Sequence, residues 1–206
     1  MFQRLVIATH NKKKAGEIMD ILCARFPDLE IVTLSEYRDV PEPEETGATY
    51  AENATIKAES AARWTGQWCV ADDAGLEIDA LYGHPGLFSK RFEGEDTPFD
   101  VKMKKILERM DGLTNGHRSA RFRCAVALAN PHEGTQVVEA ECEGSIAYKP
   151  MGTNGFGYDP IFFLKERGCT MAELTPEQKH HVSHRGKVLE QLGDRLELMF
   201  AACPRD

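Results

Sequence analysis

The sequence predicts an α/β protein, a mixed central β-sheet flanked by helices, and three observations carry that expectation. The chain opens on a short apolar run, Gln3-Arg4-Leu5-Val6-Ile7-Ala8, followed by polar Thr9-His10-Asn11 and then by Ala15, Ile18, Met19, Leu22 and Phe26 at helical spacing. Strand-like and helix-like segments alternate along the rest of the chain. From Ala120 the apolar period becomes two, with Ala120, Phe122, Cys124, Val126 and Leu128 on one face of a long strand.

The first unit therefore reads strand, tight loop, helix. Ile31-Val32-Thr33-Leu34 gives a second strand. Proline keeps the acidic stretch Pro41-Glu42-Pro43-Glu44-Glu45-Thr46-Gly47 out of helix. The Ala-rich segment from Tyr50 to Trp64 returns to helix, with Gly66 where a glycine stop belongs. Trp68 to Ala71 reads as a strand that ends on Asp72-Asp73. Thr97 is the expected N-cap of the next helix, with Pro98 in its first turn and Val101, Met103, Ile106, Leu107 and Met110 as its apolar face. Val137 to Tyr148 is expected to pair with the long strand. Thr175-Pro176-Glu177-Gln178 fits a capping box, and Val188, Leu189, Leu192, Leu196 and Met199 mark a last amphipathic helix. No repeat, low-complexity tract or linker interrupts the pattern, so residues 1–206 are expected to form a single domain.

Composition narrows the function classes. At 206 residues and 42% hydrophobic content the chain can bury a core. No apolar run approaches the roughly 20 residues of a membrane helix. A formal charge of −8 argues against a nucleic acid polymer as partner, since such binding spreads Lys and Arg over many phosphates. A small anion in one basic pocket remains compatible. The six cysteines are scattered without a C-x-x-C pair, and no basic-then-apolar segment opens the chain, so a reduced, cytoplasmic protein is expected.

Four stretches could carry chemistry. Thr9-His10-Asn11-Lys12-Lys13-Lys14 lies where a strand hands over to a helix, so backbone N–H groups, a hydroxyl, an amide and ammonium groups could face a phosphate. The plain alternative is that Asn11 caps the helix and the lysines are solvated. The stretch has neither a P-loop nor a dinucleotide-binding glycine pattern. Asp72-Asp73, bracketed by apolar residues, cannot be buried without partners, and Mg²⁺ would supply one, with Glu44 or Glu45 completing the set. In Asn154-Gly155-Phe156-Gly157-Tyr158-Asp159-Pro160, glycines on both sides of Phe156 let a flat ring approach, and Asp159 offers an acceptor to a base N–H; an ordinary hairpin turn is the alternative. In Lys179-His180-His181-Val182-Ser183-His184-Arg185, the His180 and His184 pair lacks the acidic partner of a zinc helix motif. Arg185 could donate two hydrogen bonds to O6 and N7 of a 6-keto purine, which adenine cannot accept.

Together these stretches resemble the inosine triphosphate pyrophosphatase family. The resemblance runs from Ile7 to about Leu192, through Thr9-His10-Asn11-Lys12-Lys13-Lys14, Glu44-Glu45-Thr46-Gly47 with Glu52-Asn53-Ala54-Thr55-Ile56-Lys57, Ala71-Asp72-Asp73-Ala74-Gly75-Leu76, Gly155-Phe156-Gly157-Tyr158-Asp159-Pro160 and Ser183-His184-Arg185. It implies an elongated mixed sheet in two lobes with the active site in the cleft between them. The activity implied is hydrolysis of ITP, dITP and XTP to the monophosphate and pyrophosphate, with one Mg²⁺ per subunit of a homodimer. Thr9, Asn11, Lys14 and Lys57 are implied to hold the triphosphate, within a binding stretch that includes His10, Lys12 and Lys13. Glu44 and Asp73 are implied to bind the metal, and Asp73 to accept a proton from the attacking water. Phe156 is implied to stack on the base within Gly157-Tyr158, while Asp159, Lys179, His184 and Arg185 read it. Two positions depart from the usual pattern: Ala74 stands where many members carry a substrate-contacting serine, and His10 replaces a frequent glycine.

Two rivals remain at this stage. A Mg²⁺-dependent phosphatase would use the same acidic site and release orthophosphate. A regulator would bind nucleotide or nucleic acid through Lys12 to Lys14 without turnover.

Overall fold

The computed structural model of the chain describes residues 3–202. Among these, the elements in order are β1 (Arg4–Ile7), α1 (Lys12–Arg25), β2 (Glu30–Thr33), α2 (Tyr50–Thr65), β3 (Trp68–Ile78), α3 (Phe99–Arg109), β4 (Ser119–Ala129), β5 (Gln136–Ile146), β6 (Phe162–Leu164), β7 (Cys169–Thr170), α4 (Pro176–Val182) and α5 (His184–Ala202). The strands form one seven-stranded sheet in the order β2-β1-β3-β4-β5-β6-β7. β1 runs parallel to β2 and to β3, whereas β6 is antiparallel to both β5 and β7. The sheet is therefore mixed and flanked by helices, as the sequence predicts.

The chain forms two compact units. Within the described residues one contains 3–73, Cys124–Ala140 and 185–202, and the other contains Ala74–Arg123 and Glu141–His184. The chain changes unit inside β3, β4 and β5 and once more between His184 and Arg185, so neither unit is a continuous stretch of sequence.

In the first unit, β1 is wholly apolar from Leu5 to Ile7 and buried, as the core strand of a parallel arrangement should be. α1 buries Ala15, Ile18 and Leu22; α2 buries Ala54, Ala58, Ala61 and Ala62; α5 buries Val188, Leu189, Leu192 and Leu196. The alanine stripe of α2 is thin, which lets the helix lie close to what it covers. In the second unit Leu76, Ile78, Met103, Ile106, Met110, Phe122, Ile146, Ile161 and Phe162 belong to one buried apolar cluster.

Three local expectations are corrected. β3 does not end on the paired aspartates but continues to Ile78, because both carboxylates find cationic partners and the buried positions resume at Leu76 and Ile78. Thr97 does not cap α3. Its hydroxyl donates to the Glu93 carbonyl at 2.7 Å, and Pro98 occupies the cap position. On α3 itself Val101, expected on the apolar face, faces outward, while Lys102 is buried with its ammonium donating to the Lys90 carbonyl.

The C-terminal end of α3 is held by Arg118, which is buried without a carboxylate beside its guanidinium hydrogen bonds. Its Nε donates to Ile146 O at 2.7 Å, Nη1 to Met110 O at 3.0 Å and Nη2 to Ala147 O at 2.9 Å. A cation suits the orphan carbonyls of a helix terminus. Replacing the side chain by an apolar one strands those acceptors. Arg118→Met is expected to lower the unfolding free energy by about 3 kcal/mol in urea titration; a loss below about 1 kcal/mol would contradict the assignment.

Candidate active site

The first unit builds its site on β3. Successive side chains of a strand point to opposite faces, so adjacent Asp72 and Asp73 are directed apart and recruit partners from different helices. Asp72 Oδ2 accepts from Arg185 Nη2 at 2.8 Å and Nε at 3.3 Å, and pairs with Lys14 Nζ at 3.1 Å. Lys14 comes from α1 and Arg185 from the first turn of α5. Arg185 also donates through Nη1 to Glu17 Oε2 at 2.8 Å, one turn along α1 from Lys14. Asp73 instead meets α2. Its Oδ1 accepts from Lys57 Nζ at 2.8 Å and its Oδ2 from Asn53 Nδ2 at 3.4 Å. Asn53 and Lys57 are four apart, which places both on one helix face.

The acidic loop is drawn in by the same helix. Lys57 Nζ reaches Glu45 Oε1 at 3.0 Å, and Asn53 Oδ1 accepts the Gly47 N–H at 2.8 Å. Asn53 thus ties the loop to Asp73, a role its residue type alone did not announce. Glu44 is exposed, and among the described residues it is Glu45 that shares a cation with Asp73.

Burial and charge act differently on the two carboxylates. The Asp72 side chain has no solvent exposure. Burial pushes its pKa up, but Lys14, Arg185 and Lys57 outweigh that and hold the carboxyl well below the ordinary range. For Asp73 burial is the larger effect, only partly opposed by Lys57 and Lys14, so its pKa lies above the ordinary value. Burial alone would lower the Lys57 pKa, yet Asp73 and Asp72 raise it, so the ammonium stays charged. The sequence argument that buried aspartates call for a metal is therefore corrected in its physics: Lys14, Lys57 and Arg185 already neutralise them. One atom, Asp72 Oδ1, is buried without a hydrogen-bond partner among the described residues.

At the start of α1 the capping role read for Asn11 is present. Asn11 caps the helix, its Oδ1 accepting from the N–H groups of Lys13 at 3.0 Å and Lys14 at 3.2 Å, while Thr9 Oγ1 accepts the Asn11 N–H at 3.2 Å. Backbone donors expected to face an anion are thus held by the cap. His10, Lys12 and Lys13 are exposed. Lys14 is partly buried and its charge is directed at Asp72.

The second unit holds the aromatic turn. Asp159 Oδ2 accepts the Phe156 N–H at 2.9 Å and the Lys179 ammonium at 2.6 Å, and that ammonium lies 4.6 Å from the Phe156 ring centroid. Gly155 is required here. Its φ is +70°, and a Cβ would fall 2.1 Å from Asp159 Oδ2. Tyr158 is buried, its hydroxyl donating to Ser89 O at 2.9 Å. His184 is buried with its ring stacked on Phe122 at 4.6 Å. Ala74 and Gly157 are half-buried. Phe156, Gly157, Tyr158, Asp159, Lys179 and His184 belong to one unit. Arg185 donates through all three of its guanidinium nitrogens to Asp72 or Glu17, in the unit that carries Lys14. It is the neighbouring cation of an aspartate, engaged where a purine edge was expected.

The first unit thus carries a lysine-flanked carboxylate, and the second a ring flanked by Asp and Lys, within a mixed α/β architecture. Residues 5–195 match the model of the Ham1 family, and the chain belongs to that family. It is 47% identical over 195 residues, 95% of each chain, to a Geobacillus kaustophilus protein named dITP/XTP pyrophosphatase. A Bacillus subtilis protein of the same name is 44% identical over 197 residues, covering 96% of this chain and 98% of that one. Among solved structures, the Ham1 protein of Staphylococcus aureus superposes with a TM-score of 0.84 at 39% identity, covering 94% of this chain and 98% of that one. A HAM1 protein from Coxiella burnetii gives 0.85 at 40% identity, covering 95% and 99%.

Because Asp72 is the counter-ion of a buried arginine, its removal should be costly. Asp72→Asn is expected to destabilise the fold by about 3–5 kcal/mol, leaving Arg185 and Lys14 without their shared carboxylate. The folded-state pKa lies below the unfolded value of about 3.9, so this contribution is in place above about pH 4 and fades as the pH falls further. Urea denaturation of parent and variant from pH 7 to pH 3 checks both points. Equal stability at neutral pH would contradict the assignment.

Proposed function

We propose that this protein hydrolyses the non-standard purine nucleotides ITP, dITP and XTP to the nucleoside monophosphate and pyrophosphate, keeping them out of DNA and RNA synthesis. The observation that carries the reading is Asp73, a largely buried carboxylate with a raised pKa beside Lys57, in a chain closely similar to proteins named for this activity.

Asp73 orients a water and takes its proton as the oxygen forms a bond to the α-phosphorus. The bond from that phosphorus to the bridging oxygen breaks, and its electron pair leaves with pyrophosphate. A carboxylate whose pKa is raised by burial is a better base than a solvated one, while Lys57 keeps it ionised and in place. Lys14 and Lys57 offset charge on the triphosphate, with Lys12 and Lys13 as an exposed supplement and Thr9, His10 and Asn11 shaping the turn that presents them. Lys14 and Lys57 are held by their carboxylate partners before substrate arrives, which is where electrostatic catalysis gains most.

The carboxylates of Asp73 and the acidic loop are hard oxygen donors of the kind Mg²⁺ takes. Asp73 with Glu44 or Glu45 would hold it, and the ion would supply neutralisation of phosphate oxygens. At the other end of the substrate Phe156 stacks on the base, and Asp159, Lys179 and His184 surround it. With Asp159 Oδ2 taken by Lys179 and the Phe156 N–H, Lys179 is the charged donor best placed to meet a 6-keto oxygen. The exposed aromatics Tyr82 and Phe88 are surfaces that the homodimer we propose would bury. Light scattering coupled to size exclusion should give twice the chain mass, against the chain mass if the protein is a monomer. Five free thiols among the described residues suit the reduced cytoplasm in which we place it.

Purified protein with Mg²⁺ should release pyrophosphate from ITP, dITP and XTP far faster than from ATP, and orthophosphate as the product would contradict the reading. Asp73→Asn should lower kcat by about 10²- to 10⁴-fold while nucleotide still binds. Near-normal turnover by that variant would remove Asp73 from its role.

A further inference from the structure

The aromatic turn is anchored from two sides. Gly155 and Gly157, with φ of +70° and +66°, flank Phe156, so the turn has little conformational bias of its own. Asp159 secures one side of it through the Phe156 N–H. The other side rests on Phe99, the first residue of α3. The Phe99 ring meets the Tyr158 ring edge-on, with centroids 5.1 Å apart and planes at 84°. It also lies against the Gly157 backbone, where a Cβ would come within 3.7 Å of the ring.

Phe99 is itself gripped from behind. The buried Lys102 ammonium, one turn along α3, stands 5.1 Å from its centroid and donates to the Lys90 carbonyl. Tyr158 donates to the carbonyl just before it, Ser89 O, at 2.9 Å. Ser89 in turn accepts the Leu76 N–H of β3 at 2.9 Å and donates to Gly86 O at 2.6 Å. Lys102 and Tyr158 thus hold consecutive carbonyls of one segment, with the Phe99 ring contacting both side chains. Phe99 is 38% exposed, so it is no ordinary core residue. A ring held this way at a helix start passes the position of α3 to the turn that presents Phe156.

We propose that Phe99 is a positioning residue for the base-binding turn, setting how well the nucleobase end of the substrate is held while leaving the phosphate chemistry alone. The proposal rests on the nucleotide pyrophosphatase reading above. Phe99→Ala, Phe99→Leu and Phe99→Tyr are compared with the parent for ITP turnover and for inhibition by inorganic tripolyphosphate, which carries no base. The Ala and Leu variants should raise KM for ITP about three- to tenfold, the range of one lost aromatic edge contact, with kcat within about twofold. The tripolyphosphate inhibition constant should stay put, and Tyr should restore the parent KM. An unchanged KM in Leu and Ala overturns the proposal. So does a joint shift of KM, kcat and the tripolyphosphate constant, which marks general loss of structure, and Leu decides the matter if Ala does not fold. A parent protein that releases no pyrophosphate from ITP sinks the functional reading itself, and the proposal with it, before any variant is compared.

Discussion

Arg185, buried in the first turn of α5, is bound to Asp72 of β3, which also pairs with Lys14 of α1. This buried ion cluster links three elements, and much else follows from its placement. A guanidinium and an ammonium taken out of water need the carboxylate as much as the carboxylate needs them, so each element is held in register by the cost of stranding the others. α1 is fixed at its N-terminal turn, where the lysine stretch begins. α5 is fixed at its start, immediately after His184 of the other unit. β3 is fixed at the residue beside Asp73.

That neighbour is where structure becomes chemistry. The pleat of a strand assigns two identical side chains to opposite faces, and the two faces give them opposite electrostatics. One carboxylate is paired through its Oδ2 with two cations and holds its charge. The other is largely buried beside one lysine and a weak amide contact, and is displaced toward accepting a proton. A strand that carries two such acids side by side needs no loop to present either, and rigidity comes with the ladder. The aromatic turn follows the reverse design, a glycine-flanked loop made rigid by what surrounds it.

Much of this was legible in the sequence. Apolar period and turn chemistry gave the order of elements, the capping box at Thr175, the glycine stop at Gly66 and the long strand from Ala120. The errors have physical causes. β3 was expected to stop at Asp72-Asp73 because charge in an apolar run reads as an end, and periodicity cannot see cations arriving from helices far away in the chain. Val101 was expected inside and lies outside while its neighbour Lys102 is buried, since a lysine is buried when a carbonyl waits for its ammonium. The motifs named the candidate site residues but not the partners those residues have in the fold. Arg185 was expected at the base because its residue type suits a purine edge, and nothing local foretold that Glu17 and Asp72 would engage it. Asn53 lay within a recognised motif, yet its double role depends on the fold of the loop before it.

The claim that adjacent aspartates have been given opposite electrostatics is open to direct measurement. Carboxyl carbons of metal-free protein labelled with ¹³C at aspartate, assigned by the Asp72→Asn and Asp73→Asn variants, can be followed through an acid titration. The account predicts that the Asp73 signal moves above the ordinary carboxylate value, whereas the Asp72 signal stays ionised until well below it. Coincident titration of the two, or the reverse order, would contradict it.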